Sequence, residues 1–331
     1  MTMTPPDYLS AERERSLSPP LLLRISEPFS WSECLAYLGR SDVEIMHRIE
    51  GERVYKPVEL GGIPVLLELG YSADSASIQI GFPQGEATSE IRSAAASYVR
   101  EWFGLDDDLL PFYALAEQDP ILHPVVSAHA GLRLIGIPEL FEALVWSITG
   151  QQISLGFAYT MKKRLVETYG EPLANTDLDV AFSENKPFFL FPQPARIAAL
   201  SPDDLKPLQF SGRKAEYIIG IAQLFEQGKL DKKTLRHMKT AEARETLLAI
   251  RGIGAWTADY VGLKCLRHPT AFPVGDAGLQ QALKRGLQLD RKPLLSEMTE
   301  ASASWHGWEA YATFYLWHSL LAPPRQSSIS T

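Results

Sequence analysis

The sequence predicts an α+β fold: an N-terminal α+β domain built on an antiparallel sheet, followed by an all-α domain. Strand-length apolar runs, two of them separated by a double glycine, occupy the first part of the chain. Beyond about residue 111, segments of helix length take over, with apolar residues spaced three and four apart. With 331 residues and 45% hydrophobic composition, the chain is long enough to bury a sizeable core.

The chain is expected to divide into four parts. Residues 1–18 are polar and Pro-flanked and lack periodicity, which indicates a disordered tail, and residues 323–331 form a second tail. Between the tails we expect the α+β domain at residues 19–110 and the helical domain at residues 111–322.

Within the α+β domain, four apolar runs are predicted as strands and two segments as helices that cover one face of the sheet. Gly61 and Gly62 separate the second strand from the third, which is typical of a tight hairpin. The strands are expected at residues 21–25, 53–60, 63–69 and 75–81, and the helices at residues 31–38 and 90–103.

The helical domain is predicted from seven segments with helical spacing of apolar residues. Ser201, Asp231 and Thr240 each precede a helical stretch and are expected as N-caps, because a side-chain oxygen there accepts a first-turn amide N–H. The seven helices are expected at residues 138–151, 155–169, 212–226, 241–250, 255–266, 277–287 and 308–321.

Composition excludes several classes of protein. No run of 18 apolar residues exists, and the apolar residues 21–25 are too few for a signal peptide, so we expect a cytoplasmic protein. The two cysteines, Cys34 and Cys265, are too few for a disulfide framework or a four-thiolate metal site. Both are expected as small apolar core residues.

The charge of the chain is unevenly distributed. The net charge of −8 argues against nucleic acid at first sight. However, residues 1–130 hold 9 Lys and Arg against 20 Asp and Glu, whereas residues 131–331 hold 23 against 20. This asymmetry is compatible with a C-terminal half that faces phosphates, although a small positive excess is also common in domains that bind nothing.

A Gly252-Ile253-Gly254 hairpin between two predicted helices is the first functional motif. Glycines permit the tight turn and a close approach of another molecule, and the outward amides of the next helix suit a phosphate. On its own the motif is a weak signal, and an ordinary helix–helix turn explains it better. The sequence around the motif is more informative.

The string LLAIRGIGAWTADYV, followed after a proline by VGD, resembles the hairpin, Gly/Pro-rich loop and aspartate of the helix-hairpin-helix (HhH-GPD) DNA glycosylase superfamily. The resemblance extends to FEALVWSITGQQIS at residues 141–154, FPQPARIAALSPDDL at residues 191–205 and WEAYATFYLW at residues 308–317. Within the superfamily the chain is similar to the AlkA type, 3-methyladenine DNA glycosylase II, whose members also carry an N-terminal α+β domain.

The resemblance makes Asp276 the expected catalytic residue. A glycosylase flips the damaged nucleotide into a pocket, and a carboxylate there stabilises the positive charge that develops on the sugar and orients or deprotonates water. Asp276 also precedes AGLQQAL, so it is expected as a helix N-cap as well.

Trp256 occupies the position at which bifunctional relatives carry a Schiff-base lysine. A tryptophan cannot form that adduct, so the resemblance implies a monofunctional enzyme that leaves an abasic site. No cofactor is required, and the iron-sulfur cluster of some relatives cannot be built from two cysteines.

Trp256, Tyr260 and Trp308 match positions that line the base pocket in the AlkA type. An alkylated purine such as 3-methyladenine or 7-methylguanine is cationic, and a cation over an aromatic face gains about 0.5–2 kcal/mol. The alternative is that these residues are core aromatics on helices.

Gln152 falls where the family places the residue that fills the gap left by the flipped nucleotide. The AlkA type uses an apolar side chain there, so this departure leaves the range of damaged bases open. The alternative is an exposed loop glutamine.

Further DNA contacts are expected at the hairpin and at nearby basic residues, although solvation alone explains any single one of the basic side chains. By resemblance, a monovalent cation, Na⁺ or K⁺, is expected on the carbonyls of Leu248, Ile250 and Ile253. The hairpin contacts are Gly252, Ile253, Gly254 and Ala255, and the basic residues are Arg213, Lys214, Arg251 and Lys264.

The sequence thus predicts a monofunctional DNA glycosylase, a hydrolase of the N-glycosidic bond that excises alkylated purines in base excision repair. Its partner would be double-stranded DNA, and we expect a monomer in the bacterial nucleoid. Two alternatives remain: a glycosylase for hypoxanthine or another damaged base, and a non-catalytic hairpin module that senses damage.

Overall fold

The computed structural model describes residues 19–173 and 187–321. The predicted tails, residues 1–18 and 323–331, lie outside the described residues. None of the helices in the described part of the chain is long and apolar enough to cross a membrane.

The N-terminal region folds around a five-stranded antiparallel sheet in the order β1-β5-β4-β3-β2. At the Gly61-Gly62 turn both glycines have positive φ, 60° and 79°, and Leu60 pairs with Ile63 across it, as expected for a two-residue hairpin. The three-residue strand β2 was not predicted, because it is too short to show a pattern. The strands are β1 Leu21–Arg24, β2 Arg48–Glu50, β3 Arg53–Leu60, β4 Ile63–Ser72 and β5 Ser77–Gly81.

Two predicted helices flank this sheet. Helix α1, Trp31–Leu38, begins after Ser30, whose hydroxyl accepts the amide N–H of Glu33. Helix α2, Ser89–Phe103, begins after Thr88 and ends at Gly104 in the left-handed conformation. The α+β character of the N-terminal region is confirmed.

The remainder is helical, apart from a short strand pair. All seven predicted helices are present, and further short ones, among them α3, α4 and α14, were not predicted. The helices are α3 Leu110–Gln118, α4 Leu122–Ala128, α5 Leu140–Gly150, α6 Leu155–Tyr169, α7 Pro194–Ala198, α8 Pro202–Leu205, α9 Gly212–Glu226, α10 Lys232–His237, α11 Thr240–Leu248, α12 Ala255–Val261, α13 Ala277–Gly286, α14 Leu295–Ala301 and α15 Glu309–His318, and the strands are β6 Glu171–Pro172 and β7 Phe189–Leu190.

Two of the three predicted N-caps are confirmed. Asp231 accepts the amide N–H of Thr234, and Ser201 forms a reciprocal capping box with Asp204. Thr240 is instead the first residue of its helix, and Lys239 takes the cap position.

The segment predicted as one helix at residues 255–266 changes type. Helix α12 ends at Val261 and continues as a π-helical turn, Gly262–Leu266. The carbonyl of Lys264 within this turn accepts the amide N–H of Ile137 at 2.7 Å. That bond supplies a partner to a carbonyl in the last turn of the helix, which has no amide partner within the helix itself.

The hydrophobic packing continues across the domain boundary that was expected near residue 110. One apolar cluster combines Leu69 of the sheet, Phe112 of α3, Leu279 of α13 and Phe314 of α15. A second cluster joins α5, α6, α9, α11 and α12. Because α13 and α15 share the first core, the chain segments that carry Asp276 and Trp317 are fixed against the N-terminal region.

Candidate active site

The predicted hairpin connects α11 to α12. Gly252 has φ of 94°, and a Cβ added there would lie 2.3 Å from the ring of Tyr217, so glycine is required on two grounds. Gly254 has nothing within 4 Å of such a Cβ and is exposed. It caps α12 without a side chain, so the first amides of α12 have no side-chain acceptor.

An ion pair fixes the two hairpin helices to each other. Nε of Arg244 on α11 donates to Oδ1 of Asp259 on α12 at 2.7 Å. Burial raises the pKa of Asp259, and the guanidinium of Arg244 opposes that rise. The pair links α11 to α12 and so helps to fix the angle between the two helices on either side of the hairpin.

Asp276 begins α13, where its side chain accepts three N–H groups. Oδ1 accepts the amide of Leu279 at 2.8 Å and the indole N–H of Trp317 at 2.7 Å, and Oδ2 accepts the indole N–H of Trp256 at 2.9 Å. The carboxylate is half-buried. Asp276 is therefore an N-cap, as expected, and it is also oriented by two aromatic side chains.

The rings beside Asp276 form a connected aromatic wall. Trp256 stacks on Tyr260 with ring centroids 5.3 Å apart and planes 30° from parallel, and Trp317 lies 5.9 Å from Tyr260. The hydroxyl of Tyr260 accepts the indole N–H of Trp146 at 2.8 Å. Burial raises the pKa of that hydroxyl well above its usual value, so it stays protonated.

Gln152 lies in the loop between α5 and α6, exposed and in the left-handed conformation with φ of 57°. The preceding residue, Gln151, ties this loop to the hairpin: its amide donates to the carbonyl of Gly252 and to the hydroxyl of Thr257, both at 3.1 Å. The loop and the hairpin are therefore linked through the Gln151 side chain.

Two sequence profiles match the chain. That of the AlkA N-terminal domain matches residues 20–139, and that of the HhH-GPD superfamily base excision DNA repair protein matches residues 145–307. A Bacillus subtilis protein named DNA-3-methyladenine glycosylase is 40% identical over 301 residues, which are 91% of this chain and 97% of that protein. The chain belongs to the HhH-GPD superfamily.

Solved structures share the fold of this HhH-GPD protein. The 3-methyladenine DNA glycosylase from Archaeoglobus fulgidus has a TM-score of 0.77 at 21% identity and covers 90% of this chain and 97% of its own. The Clostridium acetobutylicum 8-oxoguanine glycosylase/lyase bound to DNA has a TM-score of 0.71 at 17% identity and covers 91% and 95%. Both likenesses concern the fold, so the chemistry of this DNA repair glycosylase must be argued from its own residues.

Trp308 does not join the aromatic wall of the HhH-GPD site. Its ring packs against Phe112 and Tyr311, with centroids 5.6 and 5.8 Å apart, at a separate cavity of about 370 Å³. Of the ring contacts found in the described residues, none joins Trp308 to Trp256 or Tyr260. Trp317, nine residues later, takes the place expected of Trp308. The only sequence signal was a second tryptophan at the end of the matched motif.

The basic residues that were expected to contact DNA have three different environments. Arg213 and Arg251 are exposed, and Arg251 pairs with Glu216 at 2.8 Å. Lys214 donates to the carbonyl of Thr149 at 2.8 Å, which braces the end of α5 beside the Gln152 loop. The expectation for Lys264 was wrong.

Lys264 is 2% exposed and donates to the hydroxyl of Tyr37 at 2.9 Å and to the carbonyl of Ile135. It cannot reach a phosphate from there. Burial lowers its pKa well below the usual value of a lysine. Among the carbonyls expected to hold a cation, that of Ile250 accepts the amide of Ile253 at 3.1 Å and keeps its second lone pair.

Both cysteines are buried free thiols, as predicted. Burial raises the pKa of each to about 12, which leaves them inert as nucleophiles. Sequence reasoning missed Trp317, Gln151 and Asp259, because the role of each depends on a contact with a distant segment.

Proposed function

We propose that this protein is a monofunctional DNA glycosylase that flips alkylated purines, such as 3-methyladenine and 7-methylguanine, from duplex DNA and hydrolyses the N-glycosidic bond. The name of its Bacillus subtilis relative, DNA-3-methyladenine glycosylase, supports the substrate class. The protein would act as a monomer on DNA in the cytoplasm. The observation that carries the proposal is the setting of Asp276.

The contacts of Asp276 leave one acceptor position for chemistry. A carboxylate has about four lone-pair positions, two on each oxygen. Leu279 and Trp317 use both positions on Oδ1, and Trp256 uses one on Oδ2. The remaining position on Oδ2, beside the Trp256 ring, is available to a water molecule or to the positive charge that develops on the sugar.

The aromatic wall supports a cationic substrate. A methylated purine that stacks against Trp256 or Trp317 gains about 0.5–2 kcal/mol from the attraction of its charge to the ring face. The same charge weakens the glycosidic bond, so a separate acid to protonate the leaving base is dispensable. Water is then the only co-reactant needed.

Position 256 supports hydrolysis without strand cleavage. The Trp256 indole donates to Asp276 and offers no amine for a Schiff base. The amine of Lys264, which follows α12 in the chain, is buried and bonded to Tyr37 and Ile135. Neither residue supplies the nucleophile that a lyase needs.

Asp276→Asn tests the proposal directly. An asparagine oxygen still caps α13, so the fold should persist, whereas the negative charge beside the sugar is lost. We expect base release from methylated DNA, identified by mass spectrometry, to fall by about 100-fold or more. Binding to the same duplex should stay near that of the wild type, and thermal unfolding should confirm the fold. Turnover at the wild-type rate would overturn the assignment of Asp276.

We also propose that Na⁺ or K⁺ bridges the hairpin carbonyls of Leu248, Ile250 and Ile253 to a DNA phosphate. The free lone pair of the Ile250 carbonyl supports this placement. Replacement of K⁺ by tetramethylammonium at constant ionic strength should then weaken DNA binding. Unchanged affinity would argue against the cation.

A further inference from the structure

Two histidines and a glutamate meet where helix α1 contacts the end of α15. Oε2 of Glu33 lies 2.9 Å from Nδ1 of His129 and 2.7 Å from Nε2 of His318. The three atoms all lie within 4.8 Å of one another, and the described residues contain no other group of three side chains that could hold a metal ion. The two imidazole rings stand at 87° to each other, with centroids 4.6 Å apart. Both histidines therefore point a ring nitrogen at the same carboxylate oxygen.

Three separate segments bring these side chains together. Glu33 lies in the first turn of α1, His129 is the C-cap of α4, and His318 is the last residue of α15. Glu33 is 96 positions from His129 and 285 positions from His318. The sequence therefore shows none of the short spacings that are typical of a metal site.

Hydrogen bonds outside the cluster hold the same segments in place. The amide N–H of Ser30, the N-cap of α1, donates to the carbonyl of Gly131 at 2.8 Å. The hydroxyl of Tyr315 on α15 donates to the carbonyl of Leu132, also at 2.8 Å. Because these bonds do not involve the cluster, they position its three side chains before any ion binds.

The donor set suits a divalent transition metal ion. Zn²⁺ binds imidazole nitrogens and carboxylate oxygens at about 2.0–2.2 Å in tetrahedral geometry, which places the ligand atoms about 3.3 Å apart. The separations of 2.7 and 2.9 Å from the Glu33 oxygen need to widen by only about half an ångström to reach that value. Mg²⁺ and Ca²⁺ prefer oxygen ligands, so a site with two imidazoles selects against them.

The cluster is open on one side. The side chains of Glu33 and His129 are each 27% exposed, whereas that of His318 is 3% exposed. An ion can enter from the side of Glu33 and His129, and water can take the fourth ligand position. Nδ1 of His318 is sealed and has no partner in residues 19–173 and 187–321. The change of tautomer that frees Nε2 for a metal therefore breaks no hydrogen bond at Nδ1.

We propose that Glu33, His129 and His318 bind one Zn²⁺ ion, which fixes the end of α15 to the N-terminal region. His318 directly follows Trp317, whose indole N–H bonds Asp276. Consecutive side chains leave a helix about 100° apart, so Trp317 points to Asp276 and His318 to Glu33. The ion is therefore structural, and the site goes beyond the proposed reaction because it needs neither DNA nor a damaged base.

Zinc binding is measured on the full chain, stripped of metal with EDTA and transferred to EDTA-free buffer, in the absence of DNA. Isothermal titration with Zn²⁺ gives the affinity and stoichiometry, and thermal unfolding with and without excess Zn²⁺ gives the stabilisation. His129→Gln keeps an N–H that can reach Glu33 but removes the nitrogen that binds metal. Glu33→Gln is the second ligand variant, and exposed His123 on α4 provides the matched control, His123→Gln.

We expect the wild type to bind one Zn²⁺ and its midpoint of thermal unfolding to rise by about 2 °C or more, because an ion that binds only the folded state stabilises it. His129→Gln and Glu33→Gln should each bind Zn²⁺ at least about tenfold more weakly and lose the rise. His123→Gln should behave as the wild type, and Mg²⁺ at the same concentration should give no rise.

A wild type without a Zn²⁺-dependent rise would overturn the site, as would the same rise in both ligand variants. The three side chains would then form a hydrogen-bonded junction only. If His129→Gln does not fold without metal, the Glu33→Gln result decides.

Discussion

Trp317 donates its indole N–H to Oδ1 of Asp276 at 2.7 Å, from a position 41 residues further along the chain. The bond joins the last turn of α15 to the N-cap of α13. It orients the carboxylate through one oxygen, while Trp256 bonds the other oxygen. The candidate catalytic group is thus bonded to two tryptophans, and only one of them lies on a helix of the hairpin motif, α12.

Trp317→Phe keeps an aromatic ring and removes this hydrogen bond. We expect base release to fall roughly 10- to 100-fold, the range for loss of a hydrogen bond to a charged group. Trp308→Phe is the matched control, because Trp308 packs against Phe112 and Tyr311. Single-turnover rates on methylated DNA measure both. A larger fall in the rate of base release for Trp308→Phe than for Trp317→Phe would indicate that Trp308, not Trp317, lines the base pocket.

Gly252→Ala and Gly254→Ala separate the two roles of the hairpin glycines. At Gly252 the left-handed backbone and the Tyr217 ring both oppose a methyl group, so we expect a loss of about 2 kcal/mol or more in the free energy of unfolding. At Gly254 the methyl group has open space and φ of −96°. Stability should hold there, while DNA binding weakens because a phosphate can no longer approach closely. Urea unfolding and fluorescence anisotropy measure the two effects, and wild-type DNA affinity of Gly254→Ala would contradict a close backbone contact.

Gln152→Ala tests the expected role of the exposed loop. If the side chain fills the gap left by the flipped nucleotide, affinity for damaged duplex should fall more than affinity for single-stranded DNA. Because Gln152 has φ of 57°, Gln152→Gly serves as the control that removes the side chain without backbone strain. Equal losses on the two DNA forms would deny the wedge role.

Borohydride reduction tests the absence of lyase chemistry. A Schiff base between an enzyme amine and the sugar is trapped by borohydride as a covalent complex. With Trp256 in place of a lysine, we expect no trapped complex on damaged duplex, whereas a bifunctional glycosylase treated in parallel gives one. If a complex is trapped and is lost when one lysine of this protein is replaced, that lysine acts as a nucleophile in addition to water.

Lys264 predicts a pH dependence of stability. Burial lowers its pKa in the folded state below the ordinary 10.5, so the unfolded chain binds more protons at this site in the interval between the two values. The free energy of unfolding of the wild type, compared with Lys264→Met, should therefore rise as the pH increases towards 10.5. Exposed Lys229→Met is the control and should show no such trend. A constant difference from pH 7 to 10 would mean that the amine keeps its ordinary pKa.

The sequence alone determined what depends on a few neighbouring residues. The Gly61-Gly62 turn, the Gly252-Ile253-Gly254 hairpin and the cap at Asp276 were all predicted at their positions. A left-handed glycine or an N-terminal carboxylate is dictated by the local backbone, so it is visible within a short window of sequence. The antiparallel sheet and the seven predicted helices followed from periodicity in the same way.

The tertiary structure decided which side chains meet at Asp276. Helix α15 is buried on almost all sides, so its apolar pattern could not show that Trp317 rather than Trp308 faces α13. Lys264 was expected at the surface for the same reason, since a single charge in a helix does not reveal that Tyr37 and Ile135 enclose it. These contacts arise from packing between segments distant in sequence, and no local pattern encodes them.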